Sequence, residues 1–182
     1  LAIFTFRSGH DFNEICTGLS VLFIHGIMHM TETLILASGS AIRATLLARA
    51  EVPFTVQVAQ IDEELVRSSL QAQHLSARDI ADALAELKAQ RVSNKNPDEL
   101  VLGCDQILDF AGLTLAKPEN QSDLKLQLQQ LRGGEHRLHT AAVIFQYGRP
   151  IWRSVQTVTL HMRDFSDVYL MQYIEKNWDI VR

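Results

Sequence analysis

The sequence predicts an α/β domain: a mixed, twisted sheet with flanking helices and a long β-hairpin. Short apolar runs at 34–36 and 100–104, typical of buried strands, alternate with stretches of helical periodicity. Two long β-rich segments, at about 136–147 and 151–162, then follow each other across a Gly-Arg-Pro turn. Alternating strands and helices followed by a hairpin favour a sheet with both parallel and antiparallel strands.

Composition narrows the class of protein. The 182 residues are 47% hydrophobic and 21% charged, which is typical of one globular domain. A formal charge of −4 gives no basic field for nucleic acid, so a polyanionic ligand must be small and met by local cations. Two cysteines make no disulfide framework and suit a reducing cytoplasm, and no apolar run is long enough to cross a membrane. We therefore expect a cytoplasmic protein without nucleic-acid or membrane partners.

Residues 1–29 differ from the rest, because they show neither clean periodicity nor a capped helix. Met28 and Met30 directly precede the first convincing strand. Our hypothesis is that the native chain starts at one of them, so that 1–29 is an extension outside a domain spanning 30–182. Mass spectrometry of the native protein tests this, and a product that begins well before Met28 would contradict it.

The stretch 34–47, LILASGSAIRATLL, carries the first functional signal. An apolar strand turns through small residues into a helix, for which Ser40 is the predicted N-cap. Such a turn aims backbone N–H groups and the positive end of the helix dipole at open space, which favours an anion. Arg43 in the first helical turn indicates a bound phosphate, because a cation there is otherwise unfavourable. The alternative is a surface arginine on an ordinary strand–helix turn.

The middle of the chain continues the alternation. A strand over 52–58 runs into an acidic cluster at 61–64, which we place at a strand end. Ser76 is predicted to cap a long helix that carries Lys88. The apolar strand 100–104 is predicted to end at Asp105. The remaining predicted elements are a hairpin over 107–116, a helix over 120–131, the two long strands, and a last helix beginning at Ser166 or Asp167.

Charged residues at the ends of these elements are candidates for chemistry. Asp105 follows a buried strand, where open α/β sheets bind ligands, and Lys117 returns across the hairpin to the same edge. Glu63 adds a second carboxylate, and paired carboxylates suit Mg²⁺ that also bridges phosphate oxygens. Arg43, Lys88 and Lys117 would meet a triphosphate. For each residue singly, an exposed surface charge remains the alternative.

Two further features do not indicate chemistry. Cys104 lies in an apolar strand without an evident histidine partner, so a buried structural thiol is the prediction. His136 and His139 are three residues apart in a strand, which places them on opposite faces and argues against a zinc site.

Several motifs in order resemble the Maf family of nucleoside triphosphate pyrophosphatases, also called septum-formation inhibitor proteins. The resemblance extends from about Thr33 to Arg182. It rests on LASGSAIRATLL (36–47), VPFTV with IDE (52–63), LAELKA (84–89), GCDQ (103–106) and AKP (116–118).

The resemblance implies a Maf/ITPase-like, two-lobed architecture with a central cleft. It also implies hydrolysis of a nucleotide between its α and β phosphates, with a divalent cation (Mg²⁺ or Mn²⁺), to a monophosphate and pyrophosphate. Asp105 would be the proton acceptor, and Glu63 with Asp105 would hold the metal. The residues that would contact substrate are Ser38, Ser40, Arg43, Lys88, Gln106 and Lys117. Such enzymes remove non-standard nucleotides, and family members are often homodimers.

The chain departs from the family pattern in two motifs and at its end. The usual S-P-R-R is replaced by Ser40-Ala41-Ile42-Arg43, and the usual D-T is replaced by Asp105-Gln106. The apolar residue at position 42 and Gln106 are similar to the branch of the family that acts on methylated GTP rather than on dTTP and UTP. A Gly-rich segment with a base-reading Gln and a late G-L-P is absent, so we expect a C-terminally truncated domain. A nucleotide-binding regulator of cell division with little catalysis is the alternative function, and a structural domain with incidental charges is the third.

Overall fold

The computed structural model describes residues 4–6 and 33–181. Their strands are β1 (Phe4–Phe6), β2 (Leu34–Leu36), β3 (Phe54–Val56), β4 (Leu100–Phe110), β5 (Leu113–Leu115), β6 (Glu135–Gln146) and β7 (Arg149–Met162). Their helices are α1 (Ala41–Arg49), α2 (Glu63–Ala72), α3 (Ala77–Ser93), α4 (Gln121–Leu131) and α5 (Asp167–Val181). The hypothesis of a start at Met28 or Met30 concerns residues outside this part.

The sheet is mixed, as predicted. Its seven strands follow the order β1-β7-β6-β4-β2-β3, and β5 pairs with β4. β2 lies parallel to both β3 and β4, whereas β4, β6 and β7 form an antiparallel series. β1 lies within the segment 1–29, for which no element was predicted. The strand has only three residues and pairs with the end of β7, and so short a strand shows no periodicity in the sequence.

The predicted long hairpin is present as β6 and β7, although its turn is shifted. Tyr147 and Gly148 form the turn with φ of 52° and 72°. Two central residues with positive φ match the right-handed twist of the flanking strands. The turn predicted over 148–150 is therefore wrong in position, since Arg149 and Pro150 already belong to β7. Pro150 is accommodated where the β6–β7 register shifts.

β4 differs from the prediction in length. It continues without interruption through eleven residues, so Asp105 lies in the middle of the strand and not at its end. The prediction was wrong because β6 pairs with β4 continuously from Val101 to Asp109 and holds it extended past the charged residue. Asp105 still lies just beyond the carboxyl end of the neighbouring parallel strand, since the β2–β4 register ends at Leu36↔Leu102.

The core has two regions along the long strands. At the β2 end, one face of the sheet packs under α3 around Ile80, Val101 and Phe145, and the other face packs under α1 around Leu47 and Leu102. At the far end, α4 and α5 pack against the last residues of β4 and β7 in a separate cluster. This division is the two-lobed arrangement that the resemblance implies, with Asp105 between the lobes. None of the helices in 33–181 has the length and apolar character that crossing a bilayer requires.

Candidate active site

Helix α3 lies unusually close to β4 at Gly103. A Cβ atom at this position would come within 2.6 Å of the Ala89 nitrogen and would also collide with the Ala85 carbonyl oxygen. Residues 103 and 105 share one face of the strand. The close approach at Gly103 therefore brings α3, with Lys88 between those alanines, against the face that carries Asp105.

Lys88 joins two carboxylates. Its Nζ donates to Asp105 Oδ1 and to Glu63 Oε2, each at 2.7 Å. The side chains of Lys88 and Asp105 are only 7% and 6% exposed, while that of Glu63 is 44% exposed. The two carboxylate oxygens can be no further apart than twice this distance. Three ionic groups that were predicted from separate segments therefore form one cluster.

Burial controls the chemistry of Asp105. Desolvation raises the pKa of this carboxyl above its ordinary value, and the neighbouring Lys88 opposes that rise by charge and by hydrogen bonding. The charge of Glu63 raises the pKa further, and that of Arg43 lowers it. Asp105 Oδ2 is buried and has no hydrogen-bond partner among the described residues. One oxygen is thus held by Lys88 and the other is available as an acceptor.

Glu63 reaches the cluster from a helix that the sequence analysis missed. It is the first residue of α2, so the predicted position at a strand end is wrong. The signals were present: Asp62 caps the helix by accepting from Leu65 N–H, and Val66 and Leu70 recur four residues apart toward the core. The helix was missed because its apolar residues are few and only half-buried.

The serine turn after β2 sits beside this cluster. Ala37 N–H donates to the Leu102 carbonyl, which ties the turn to β4. The buried Ser38 hydroxyl accepts from the Arg43 guanidinium at 2.9 Å and from Ser40 N–H at 3.3 Å. Ser40 is the N-cap residue of α1, but its side chain makes no capping hydrogen bond. The predicted capping bond is therefore wrong; Ser38 organises the turn.

Two predicted residues lie apart from the cluster. Gln106 follows Asp105 in the strand, so its side chain points to the opposite face of the sheet, where its amide donates to Thr140 at 2.8 Å. Lys117 is exposed beyond β5, on the chain that runs back along β4, and no hydrogen bond or ion pair is recorded for it within the described residues. The structure thus assembles Asp105, Glu63 and Lys88 directly.

A second polar cluster on the Asp105 face was not foreseen. His139 is 7% exposed; its Nδ1 lies 2.9 Å from the Thr157 hydroxyl and its Nε2 lies 3.6 Å from Asp109 Oδ2. Asp109 also accepts from Gly112 N–H at 2.8 Å in the β4–β5 turn. These contacts tie the hairpin that leads to Lys117 back to the central strands. Strand alternation through 105, 107 and 109 was the available signal.

The donor set suits a hard divalent cation only in part. No group of three or more His, Cys, Asp or Glu side chains within the described residues could enclose a metal ion. Glu63 and Asp105 supply oxygen ligands on one cluster, and Asp105 Oδ2 is an unused buried acceptor. Mg²⁺ commonly takes one or two carboxylates and completes its shell with water and phosphate oxygens, so the pair fits such an ion.

The serine turn lies at a helix N-terminus, next to a buried carboxylate beyond the carboxyl end of a parallel strand. This arrangement is typical of α/β proteins that bind a small polyanion. Comparison with known proteins gives the particular family. The sequence model of the family described as Maf-like protein matches residues 33–180. The chain belongs to the Maf family.

Curated relatives agree. The chain is 53% identical over 153 residues to a nucleoside triphosphate pyrophosphatase of Ruegeria pomeroyi, covering 84% of this chain and 77% of the relative. Proteins of the same name from Roseobacter denitrificans and Caulobacter vibrioides are 52% and 44% identical, covering 84% and 78% of this chain and 77% and 70% of their own lengths. A HAM1 protein from Coxiella burnetii matches with a TM-score of 0.42 and 10% identity, over 71% of this chain and 72% of that one.

Proposed function

We propose that this protein is a nucleoside triphosphate pyrophosphatase, which hydrolyses the bond between the α and β phosphates and releases a nucleoside monophosphate and pyrophosphate. Membership of the Maf family and the names of its curated relatives support the activity. The observation that carries the mechanism is the cluster in which buried Lys88 joins buried Asp105 and half-exposed Glu63.

Asp105 is the proposed general base. A base is most effective when its pKa lies near the working pH, and burial moves the pKa of Asp105 in that direction. Its Oδ2, which accepts no hydrogen bond from the described residues, can take a proton from water. As that proton leaves, the water oxygen bonds to the α-phosphorus, and the bridging P–O bond between the α and β phosphates breaks with its electron pair going to the departing pyrophosphate.

The cations and the serine turn are proposed to hold the polyphosphate. Arg43 is already oriented by Ser38 at the N-terminus of α1, where backbone N–H groups favour an anion. Lys117 forms no hydrogen bond or ion pair with the described residues and is exposed on the hairpin return, and Ser40 and Gln106 complete the proposed substrate contacts. Charge developing on the phosphates in the transition state would be stabilised by Arg43, which Ser38 orients, and by the backbone N–H groups at the start of α1.

Glu63 and Asp105 are the proposed ligands of a divalent cation, Mg²⁺ or Mn²⁺. When bound, such a cation supplies Lewis-acid stabilisation of the phosphate oxygens. Glu63 is the more exposed of the two carboxylates and can adjust its position, whereas Asp105 is fixed in the strand.

Asp105→Asn tests the proposal. We expect turnover to fall about 10²–10⁴-fold, which is the usual contribution of general acid–base catalysis, while nucleotide affinity changes little. Asp98→Asn, in an exposed turn, is the matched control and should retain activity. The product must be pyrophosphate; release of orthophosphate, or a fully active Asp105→Asn, would contradict the assignment. Binding without turnover in the unaltered protein would favour the regulator of cell division instead.

The base preference, the compartment and the assembly are narrower proposals. Exposed Ile42 at the start of α1 and Gln106 support a preference for methylated GTP over dTTP and UTP, which a turnover panel across these nucleotides tests. The buried free thiol of Cys104 is compatible with the cytoplasm. A homodimer without nucleic-acid or membrane partners stays a prediction that light scattering and binding assays can check.

A further inference from the structure

The cluster already contains a cation at the position between its two carboxylates. Lys88 Nζ lies 2.7 Å from both Glu63 Oε2 and Asp105 Oδ1, and its side chain is 7% exposed. A lysine that serves phosphate needs its ammonium donors free, yet two of the three donors of this ammonium are engaged with carboxylates.

We propose that Lys88 occupies the cation position of the Glu63–Asp105 pair in the metal-free protein, and that it gives up this position when a divalent cation binds. Lys88 would then turn its ammonium group toward the phosphates. The inference rests on the proposed function insofar as that function assigns a metal to these two carboxylates.

Electrostatics requires the exchange. Without a cation, the buried carboxylate of Asp105 and the half-exposed carboxylate of Glu63 would repel each other, and Asp105 would also lack solvation, so Lys88 stabilises the pair when no metal is present. A divalent ion bound to the same oxygens would lie within a few ångströms of the ammonium, and a site this buried screens that repulsion weakly. Lys88 and the metal therefore compete for the same negative charge.

The side chains permit the movement. Lysine carries its charge on a flexible four-carbon stem, and half-exposed Glu63 can follow or release it without disturbing the strand. Asp105 Oδ2 has no other partner within the described residues, so a second ligand atom is available before Lys88 leaves Oδ1. Arg43 does not replace Lys88, because within the described residues its guanidinium donates to Ser38 and forms no ion pair with Glu63 or Asp105.

Competition has a measurable consequence in the absence of nucleotide. Removing the ammonium should tighten metal binding, since coupling between two sites is reciprocal. We expect Lys88→Met to bind Mg²⁺ or Mn²⁺ about 5- to 150-fold more tightly than the unaltered protein, the range typical of coupled sites. Lys88→Arg keeps the charge and should leave the affinity near its original value. Lys95→Met, at an exposed position, is the matched control.

The experiment is isothermal titration of the metal-free, nucleotide-free protein at mildly alkaline pH, with circular dichroism to verify folding. Equal or weaker metal affinity in Lys88→Met overturns the proposal. Because no nucleotide is present, that result would leave the proposed pyrophosphatase activity intact. Conversely, tighter metal binding by Lys88→Met, together with no pyrophosphate release by the unaltered protein, would support the exchange and contradict the proposed function.

A measurement on the unaltered protein covers the case in which Lys88→Met fails to fold. Reductive methylation of lysines, followed residue by residue with mass spectrometry, reports whether each ammonium is accessible. We expect Lys88 to be protected without metal and to react several-fold faster with Mg²⁺ present, while Lys95 reacts equally in both conditions. Unchanged protection of Lys88 at saturating Mg²⁺ would overturn the proposal.

Discussion

Asp105 combines a buried position with an oxygen that has no hydrogen-bond partner among the described residues. Burial of a charge without full compensation is unfavourable, which is why desolvation is the largest cause of its raised pKa. An asparagine has nearly the same shape, carries no charge and keeps an oxygen that can accept from Lys88. The residue that we propose as the general base should therefore reduce the stability of the metal-free fold.

We expect Asp105→Asn to raise the melting temperature of the metal-free protein at neutral pH, by about 2–4 °C for each kcal/mol gained in a chain of this size. Because the pKa of Asp105 is higher in the folded than in the unfolded chain, proton binding stabilises the fold at acid pH, and this contribution is lost as pH rises through the folded pKa. The advantage of the variant should thus appear above about pH 4, the unfolded carboxyl value, and level off above the folded pKa. Thermal melts across pH measure it; a variant less stable than the parent at neutral pH would contradict it.

Cys104 precedes Asp105 in β4 and lies on the opposite face of the sheet, among apolar side chains. It packs with Leu36 and Leu102, and burial raises the pKa of its thiol to about 11, against the opposing effects of Arg43 and Lys88. A thiol with this pKa is almost entirely protonated at neutral pH and is a poor nucleophile. The predicted structural role is supported by this packing.

Cys104 should accordingly resist alkylation in the folded protein. In a Cys16→Ser background, which leaves one thiol, iodoacetamide should label the native protein at least about a hundredfold more slowly than the unfolded chain, since the thiolate fraction falls tenfold for each pH unit below the pKa. Mass spectrometry with and without denaturant gives both rates. Comparable rates, or loss of turnover in Cys104→Ala with its fold preserved, would reject the structural role.

The packing of α3 on β4 links fold to site at the scale of elements. Gly103→Ala would place a methyl group 2.6 Å from the Ala89 nitrogen, and backbone atoms cannot rotate aside. We expect the helix to move and the fold to lose about 1–3 kcal/mol, the usual cost of overpacking, with a parallel loss of turnover because Lys88 moves with the helix. Chemical denaturation and activity assays measure the two effects.

Gly39→Ala is the control for stability. A Cβ atom there meets Val58 at 3.5 Å, which is ordinary contact, so its unfolding midpoint should stay near that of the parent. If both alanine variants were equally stable, close packing at Gly103 would not be what brings Lys88 to Asp105.

Elements with their own local signal were predictable, and those shaped by neighbours were not. Helix α3 has a capping serine whose side chain accepts from Asp79 N–H, and α4 begins at Asn120 in the same manner, so both were placed correctly. The continuation of β4 past Asp105 depends on pairing with β6, which sequence patterns do not contain. Helix α2 was missed because its apolar residues are few and half-buried.

At the scale of the whole molecule, the sequence located the ionic residues but not their partners. The motifs pointed to Asp105, Glu63 and Lys88, yet Lys88 was assigned to phosphate. Lys88 is 17 residues from Asp105 and 25 residues from Glu63 in the sequence. Packing at Gly103 and the placement of α2 bring the three side chains together. Such contacts depend on tertiary structure, so a single sequence predicts the residue types of the site better than its geometry.

The same long strands that carry the site connect the two core regions. β4 contributes Val101 and Ile107 to the region under α3, and Leu108 and Phe110 pack against the region under α4 and α5. β6 pairs with β4 and β7 along its length. Neither region can lose its sheet without disrupting the other, so the lobes should unfold together.

The two tryptophans of the chain provide a probe in each region. Trp152 packs against the cluster under α1, and Trp178 packs against the cluster of α4 and α5. Trp152→Phe and Trp178→Phe each leave one reporter. Fluorescence of both variants in urea should give a single transition, and in each variant its midpoint and slope should match those from far-ultraviolet circular dichroism. A region that melted first in one variant, with helix signal remaining, would show that the lobes are independent and that the long strands do not transmit stability between them.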